Sequence, residues 1–375
     1  MSTKPVVVYG ASGYTGRLVC EFLRQYNVPF TAAGRSTATL TESMDSHVPG
    51  IETADYEVVE TEHTVAALTD LFQGSSVVLN TVGPFMKLGD PVVEAALAAG
   101  AHYLDTTGEQ DWLIHCDEEF GARFAAAGLL IAPGTAQMYT TGEIAAQIAL
   151  ETPGLDTLDI AVFWGGSPTI ASTRTILVNA AGGAAYHLEQ NEYVPFDPAQ
   201  GLVPLIVPGQ HELAQSLPWG GTSHPVWFKR DPRVSTCKAQ GGVFDAALMQ
   251  NVPVIVADAL EATKDMTPDE RDAALDAVAA QVMSSMPPRE NRRTHKSLDS
   301  VHASGPLGRA HVVIHGNNNY QQTGLLQAYA AYSLLQRAPH RVGLASACQA
   351  FGHRELEGVL RSFGFISPPV VTVAQ

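Results

Sequence analysis

The chain has 375 residues and 45% hydrophobic content, which allows about two domains and a sizeable core. Only 16% of residues are charged, below the roughly 25% of typical domains, so extensive burial is expected, including a homodimer interface. The net charge of −16 argues against nucleic acid or an anionic membrane as the main partner and leaves a small-molecule substrate.

Residues 5–9, PVVVY, are β-branched and bounded by Pro and Gly, and read as a buried strand. Residues 14–26 place Leu18, Phe22 and Leu23 on one helical face. Further strands are expected at 29–33, 57–60, 75–80, 102–106 and 128–132. Helices are expected between them, near 63–72, 90–99 and 110–126. This alternation predicts an α/β fold with an N-terminal Rossmann doubly wound parallel sheet over residues 1–150. After Pro153 the pattern loosens. Strands are expected at 158–164, in VPVIVADA and in RAHVVIHG, helices at 170–182 and 268–285, and an irregular stretch over 193–232. These predict a C-terminal α+β domain over 151–318, for substrate and dimer contacts. The amphipathic helix at 319–337 and the tail to 375 are expected to pack back on the first domain.

The four cysteines, Cys20, Cys116, Cys237 and Cys348, form no CxxC pair, so no zinc or redox motif is visible and no metal is expected. No signal peptide fits the N-terminus and no apolar run of about 18 residues follows. A cytoplasmic protein with reduced thiols is therefore expected.

Three glycines, Gly10, Gly13 and Gly16, sit three apart between the first strand and the first helix. In that context they read as a dinucleotide loop. Gly10 allows the turn, Gly13 lets a pyrophosphate approach the backbone, and Gly16 lets helix and strand pack closely. Ser12, Tyr14 and Thr15 complete the loop at the helix N-terminus, whose amides and dipole favour an anion. The second strand ends in AAGRST, without the acid that would bond a ribose 2′-hydroxyl. Arg35 and Ser36 stand where a 2′-phosphate would lie, with Thr37 adding a hydroxyl, so NADP(H) is preferred over NAD(H).

Absences narrow the chemistry. No Tyr precedes any of the six lysines by four residues, which removes the short-chain dehydrogenase pair. Thr135, in IAPGTAQMY, stands where acyl-phosphate and semialdehyde reductases carry a nucleophilic Cys. The stretches VVVYGASGYTGRLV, AGRS and LNTVGPFMKLGDPVVEAALAAGAHYLDTTGE resemble the saccharopine dehydrogenase-like oxidoreductases, including trans-acting enoyl reductase-like relatives. The likeness covers residues 5–150 and fades to NYQQT beyond them. It implies a nicotinamide oxidoreductase acting on imines in some relatives and enoyl bonds in others. Asn80, Thr81, Val82, Gly83, Pro84 and Phe85 follow the fourth strand, at the edge where the nicotinamide half lies. Tyr103 and Asp105 belong to the same run and are assigned to the cofactor, with Asp105 and Glu109 also weighed as substrate-side acids or caps.

Hydride transfer often calls for one proton donor, for which Tyr139, Tyr186 and Tyr320 are the candidates, with His187 and Thr323 beside them. Arg289, Arg292, Arg293 and Lys296 form a basic cluster that fits an anionic substrate or a solvated loop. Trp164, Trp219 and Trp227 are candidates for an apolar pocket or for core. The expected function is an NADP(H)-dependent reductase of a C=C, C=O or C=N bond. The alternatives are a non-catalytic NADP(H) sensor or scaffold, and a synthase or lyase without net redox change.

Overall fold

The computed structural model describes residues 4–166, 168–182, 185–197, 201–211, 213–218, 222–282 and 287–374. The chain divides into two compact units. The first takes the residues up to 107, then 111–140 and 320–363; the second takes 108–110, 141–319 and those from 364 on.

The first unit is built on β1 (Val6–Tyr9), β2 (Phe30–Gly34), β3 (Tyr56–Glu60), β4 (Val77–Asn80), β5 (His102–Asp105), β6 (Leu130–Ala132) and, late in the chain, β15 (Gly343–Leu344). All pair parallel, in the order β15-β6-β5-β4-β1-β2-β3. Val6 pairs with Phe30 on one side and Val77 on the other, so the strand order reverses at β1. Such a switch point leaves a crevice at the carboxyl ends of the strands. The connections are helical: α1 (Tyr14–Gln25), α2 (Thr37–His47), α3 (Val65–Phe72), α4 (Phe85–Ala99), α5 (Gln110–His115) and α6 (Ala122–Ala126), followed by α7 (Gln137–Ala149), whose residues from 141 on belong to the second unit. β1, β2 and β4 are buried along their whole length, which their continuous apolar runs already specify. Helix α4 starts five residues before the expected position 90 and carries Pro91 in its interior.

The second unit holds a mixed sheet of β7 (Thr157–Trp164), β8 (Tyr186–Glu189), β9 (Glu192–Pro195), β12 (Thr236–Val243), β13 (Lys296–Ser304), β14 (Arg309–Asn317) and β16 (Val370–Ala374). The order is β16-β14-β13-β7-β12-β8-β9, and β7 and β12 are its parallel pair. A separate hairpin joins β10 (Val203–Ile206) to β11 (Leu213–Ser216). The helices are α8 (Ile170–Gly182), α9 (Ser223–Phe228), α10 (Ala246–Thr263) and α11 (Pro268–Val282). The late helices α12 (Asn319–Gln336), α13 (Ala347–Phe351) and α14 (His353–Ser362) belong, from residue 320 on, to the first unit.

Three expectations change here, and one is described only in part. VPVIVADA is helix α10, not a strand: Asp245 caps it by accepting from the Leu248 amide at 3.0 Å, and Val252, Ile255 and Val256 share one helical face while Val254 is exposed. The 193–232 stretch contains the β10–β11 hairpin and α9. The 268–285 helix is described to Val282, and the rest of that span lies outside the described residues. The tail does not pack wholly with the first unit, because β16 pairs antiparallel with β14.

Candidate functional site

The glycine loop is built from backbone demands that differ at its three glycines. Gly10 has φ +89°, and a Cβ there would meet Thr81 Oγ1 at 2.7 Å and Val82 Cγ2 at 2.8 Å. A Cβ at Gly16 would lie 2.3 Å from the Gly10 carbonyl oxygen, so helix α1 rests directly on the loop. Both residues must be glycine for the fold itself. Gly13 is different. It is exposed, its φ of −70° and ψ of 163° suit any residue, and its Cβ would meet only the Gly10 oxygen, at 3.3 Å. It caps α1 without a side-chain hydrogen bond, so the cap offers no acceptor to the amides of the first turn. A close-approaching anion is the physical reason for a glycine at such a place. Ser12, Tyr14 and Thr15 are half-buried around it. The Ser12 carbonyl accepts from Arg17 Nε at 2.8 Å, and the Tyr14 ring meets Tyr320 edge-on at 5.1 Å. These residues fit a bound dinucleotide.

At the end of β2, Arg35 is exposed, and Ser36 is the cap of α2, accepting from the Thr39 amide at 3.3 Å. The structure adds Glu60, which pairs with Gly34 at the end of β3 and accepts from the Thr37 amide at 2.8 Å. It also adds His63, whose Nδ1 lies 2.8 Å from the Tyr9 hydroxyl with the two rings stacked. Burial lowers the His63 pKa and Arg35 lowers it further, while a backbone hydrogen bond to Leu88 opposes them. Burial raises the Tyr9 hydroxyl, and Arg35 opposes that rise. His63 was missed because nothing in a lone histidine marks it; its place just after β3, at the carboxyl edge, is the signal.

The run after β4 divides into a lip and a buried base. Thr81 and Val82 are half-buried and Gly83 is exposed, ahead of a cis peptide to the buried Pro84. Thr81 Oγ1 donates to the Tyr9 and Gly10 carbonyls at 3.0 and 3.1 Å, which ties the lip to the glycine loop. Phe85 is buried as the first residue of α4. Asn80 is buried and shapes the lip, its Oδ1 accepting from the Val82 amide at 2.9 Å.

Tyr103 and Asp105 require a correction. Both are 0% exposed, so neither presents an atom to a ligand. Asn80 Nδ2 donates to the Tyr103 hydroxyl at 3.0 Å, and that hydroxyl donates to Asp105 Oδ2 at 2.9 Å. Trp112 Nε1 donates to the same oxygen at 2.8 Å. The amides of Thr107 and Gly134 donate to Oδ1 at 3.0 and 2.9 Å. Burial raises the Asp105 carboxyl pKa, and those four donors pull it back. Tyr103 and Asp105 therefore hold strand ends and loops in register. Thr135 joins this frame, with its amide on the Asp105 carbonyl and its hydroxyl on the Ala132 carbonyl.

The tyrosine candidates separate. Tyr320 touches Tyr14 beside the glycine loop, and Tyr139 is largely buried in α7. Tyr186 belongs to the second unit, where its backbone is clasped by the Gln110 side chain at 2.7 and 3.0 Å. His187 packs against Phe196, and Thr323 Oγ1 accepts from the Gln137 amide at 3.0 Å. Glu109 is buried in the second unit. Arg289, Arg292, Arg293 and Lys296 are all exposed, and Arg292 lies over the Phe365 ring at 4.9 Å. Trp164 borders an apolar hollow, Trp227 packs against His224, and Trp219 lies outside the described residues.

Sequence reasoning also missed Asp299, on β13 in the second unit. It is 1% exposed, and Thr141 Oγ1 donates to its Oδ1 at 2.9 Å. Oδ2 has no partner among the described residues. Burial pushes its pKa up to about 8, against the one hydrogen bond from Thr141. Burial with a single hydrogen bond favours its neutral, proton-bearing form. Among the described residues there is no cluster of metal-ligating side chains, and no helix long and apolar enough to cross a membrane.

The chain belongs to the family of unknown function DUF5938, which matches residues 140–375. Residues 6–128 match the saccharopine dehydrogenase NADP binding domain. Among curated relatives, a lipid droplet localized protein of Caenorhabditis elegans is 33% identical over 138 residues, 35% of this chain and 32% of its own length. A human saccharopine dehydrogenase-like oxidoreductase is 29% identical, covering 34% of this chain and 32% of the relative. A trans-acting enoyl reductase of Mycobacterium ulcerans is 36% identical, covering 28% and 25%. The chain thus spans about a third or less of the length of these relatives. Its fold is that of the saccharopine dehydrogenase (L-Glu forming) of Saccharomyces cerevisiae, with a TM-score of 0.63 over 98% of this chain and all of that one, at 11% identity.

Proposed function

We propose that this chain is an NADP(H)-dependent oxidoreductase that reduces a C=C, C=O or C=N bond in a small, rather apolar substrate. The observation that carries the reading is Gly13, a glycine that its backbone angles do not require, at an uncapped helix N-terminus. In this reading the loop from Gly10 to Gly16 holds the pyrophosphate. Arg35 and Ser36 take the 2′-phosphate, at a strand end that carries no acid of its own. Thr81, Val82 and Gly83 position the nicotinamide half, held from beneath by Asn80, Pro84 and Phe85. When bound, the nicotinamide supplies a hydride. Tyr320, placed by its contact with Tyr14, is the preferred proton donor over Tyr139 and Tyr186. The two oxidoreductase relatives support the reaction class. A homodimer is part of the same proposal, supported by the exposed Val370, Val371 and Val373 along β16.

The test is titration of the full chain with NADPH and NADH. Gly13→Val is expected to abolish binding of both while leaving circular dichroism and the melting midpoint unchanged; retained binding makes the loop a simple turn. Arg35→Ala is expected to weaken NADPH by about tenfold or more and NADH by little. Equal losses overturn the NADP(H) preference. Turnover is then read as loss of nicotinamide absorbance with enones, ketones and imines.

A further inference from the structure

We propose that Glu60 sets how far the first unit favours a 2′-phosphorylated dinucleotide over its unphosphorylated form, a role that rests on the reading of the glycine loop as a dinucleotide site. Strand β2 ends without an acid, but the strand beside it does not. Glu60 closes β3 and pairs in register with Gly34, the last residue of β2. Gly34 has no side chain to stand between Glu60 and the start of α2. The Glu60 carboxylate accepts from the Thr37 amide at 2.8 Å through Oε2. Thr37 is the first residue of α2, directly after the cap Ser36. A carboxylate therefore stands at the same helix start where Arg35 and Ser36 are assigned to the 2′-phosphate.

The arginine does not neutralise it. Arg35 is exposed and forms no ion pair among the described residues. Glu60 is exposed as well, and the Thr37 amide is the one partner of its carboxylate among the described residues. The two charges thus meet a nucleotide with opposite sign. A 2′-phosphate carries about −1.5 to −2 charges. It is drawn by the guanidinium and repelled by the carboxylate. A ribose 2′-hydroxyl is neutral and can donate, which the carboxylate accepts. Were Glu60 only a cap for α2, its charge would not separate the two nucleotides.

The test is titration of the full chain and of Glu60→Gln with NADPH and NADH, at low and at high salt. Glutamine keeps an oxygen for the Thr37 amide and removes the charge. NADPH affinity is expected to rise about fivefold or more at low salt. That gain is expected to shrink at high salt. NADH affinity is expected to stay level or fall. Glu60→Ala is read in the same way should the glutamine variant not fold. An unchanged ratio of the two affinities, or a gain that high salt does not reduce, overturns the proposal. A wild-type chain that binds neither nucleotide overturns the dinucleotide reading itself. Binding of both with an unmoved ratio overturns the role of Glu60 alone, so the two failures are distinguishable.

Discussion

Two aspartates, one in each unit, are buried to the same degree and treated oppositely by their surroundings. Asp105 receives four donors, two on each oxygen, from Thr107, Gly134, Tyr103 and Trp112. Asp299 receives one, from Thr141, and its second oxygen receives none among the described residues. Burial of a charge is costly unless hydrogen bonds replace water. Asp105 meets that condition as a carboxylate, and no neighbour is arranged to accept a proton from it. Asp299 meets it only as a neutral acid. The difference teaches that burial alone does not mark a functional carboxyl. The count and direction of the donors separate a structural pin from a proton reservoir.

The sharpest way to break the comparison is Asp105→Asn. The substituted amide turns N–H toward two of the four donors, and a buried donor facing donors has no remedy. A loss of about 3 kcal/mol or more is expected in denaturant unfolding. A loss under about 1 kcal/mol would mean that Asp105 is already protonated, and the contrast would fall. Tyr103→Phe is a milder probe of the same network. It removes one donor from a charged group and leaves Asn80 Nδ2 without its acceptor. A loss of about 2 kcal/mol is expected, with the fold retained.

The legibility of the two units differs for the same reason that their aspartates do. The first unit announces itself, because a parallel sheet buried on both faces is written in continuous apolar runs such as VVVY and VVLN. The glycine spacing then places the loop without ambiguity. What the residues alone could not disclose is depth. Tyr103 and Asp105 sit in the right run at the right strand end, yet their partners Trp112 and Gly134 come from later in the chain and close over them. The second unit hides more. Strand β13 reads as polar because Ser297, Asp299 and Ser300 are buried through hydrogen bonds and not through apolarity. Helix α10 reads as a strand because a β-branched run of four or five residues does not declare its period. Its Leu248, Val252, Ile255 and Val256 show a helical face only once the neighbouring residues are included.

The smallest step effect, and the one that isolates the second aspartate, is the pH dependence of stability. The folded pKa of Asp299 is pushed up to about 8, whereas an unfolded aspartate releases its proton near pH 4. Between those values the native state binds the proton and the unfolded state does not. Unfolding free energy therefore falls as pH rises, with this contribution whole below about pH 4 and gone above about pH 8. The slope from this one group is about 1.4 kcal/mol per pH unit at its steepest. Asp299→Asn mimics the neutral acid and keeps an oxygen for Thr141. It is expected to leave stability nearly unchanged at pH 4 and below, and to remove that slope between pH 5 and 7. Wild type and variant falling in parallel across this range would show that Asp299 is ionised in the folded chain. Asp299 would then be a second Asp105, with donors still to be found, and not a held proton.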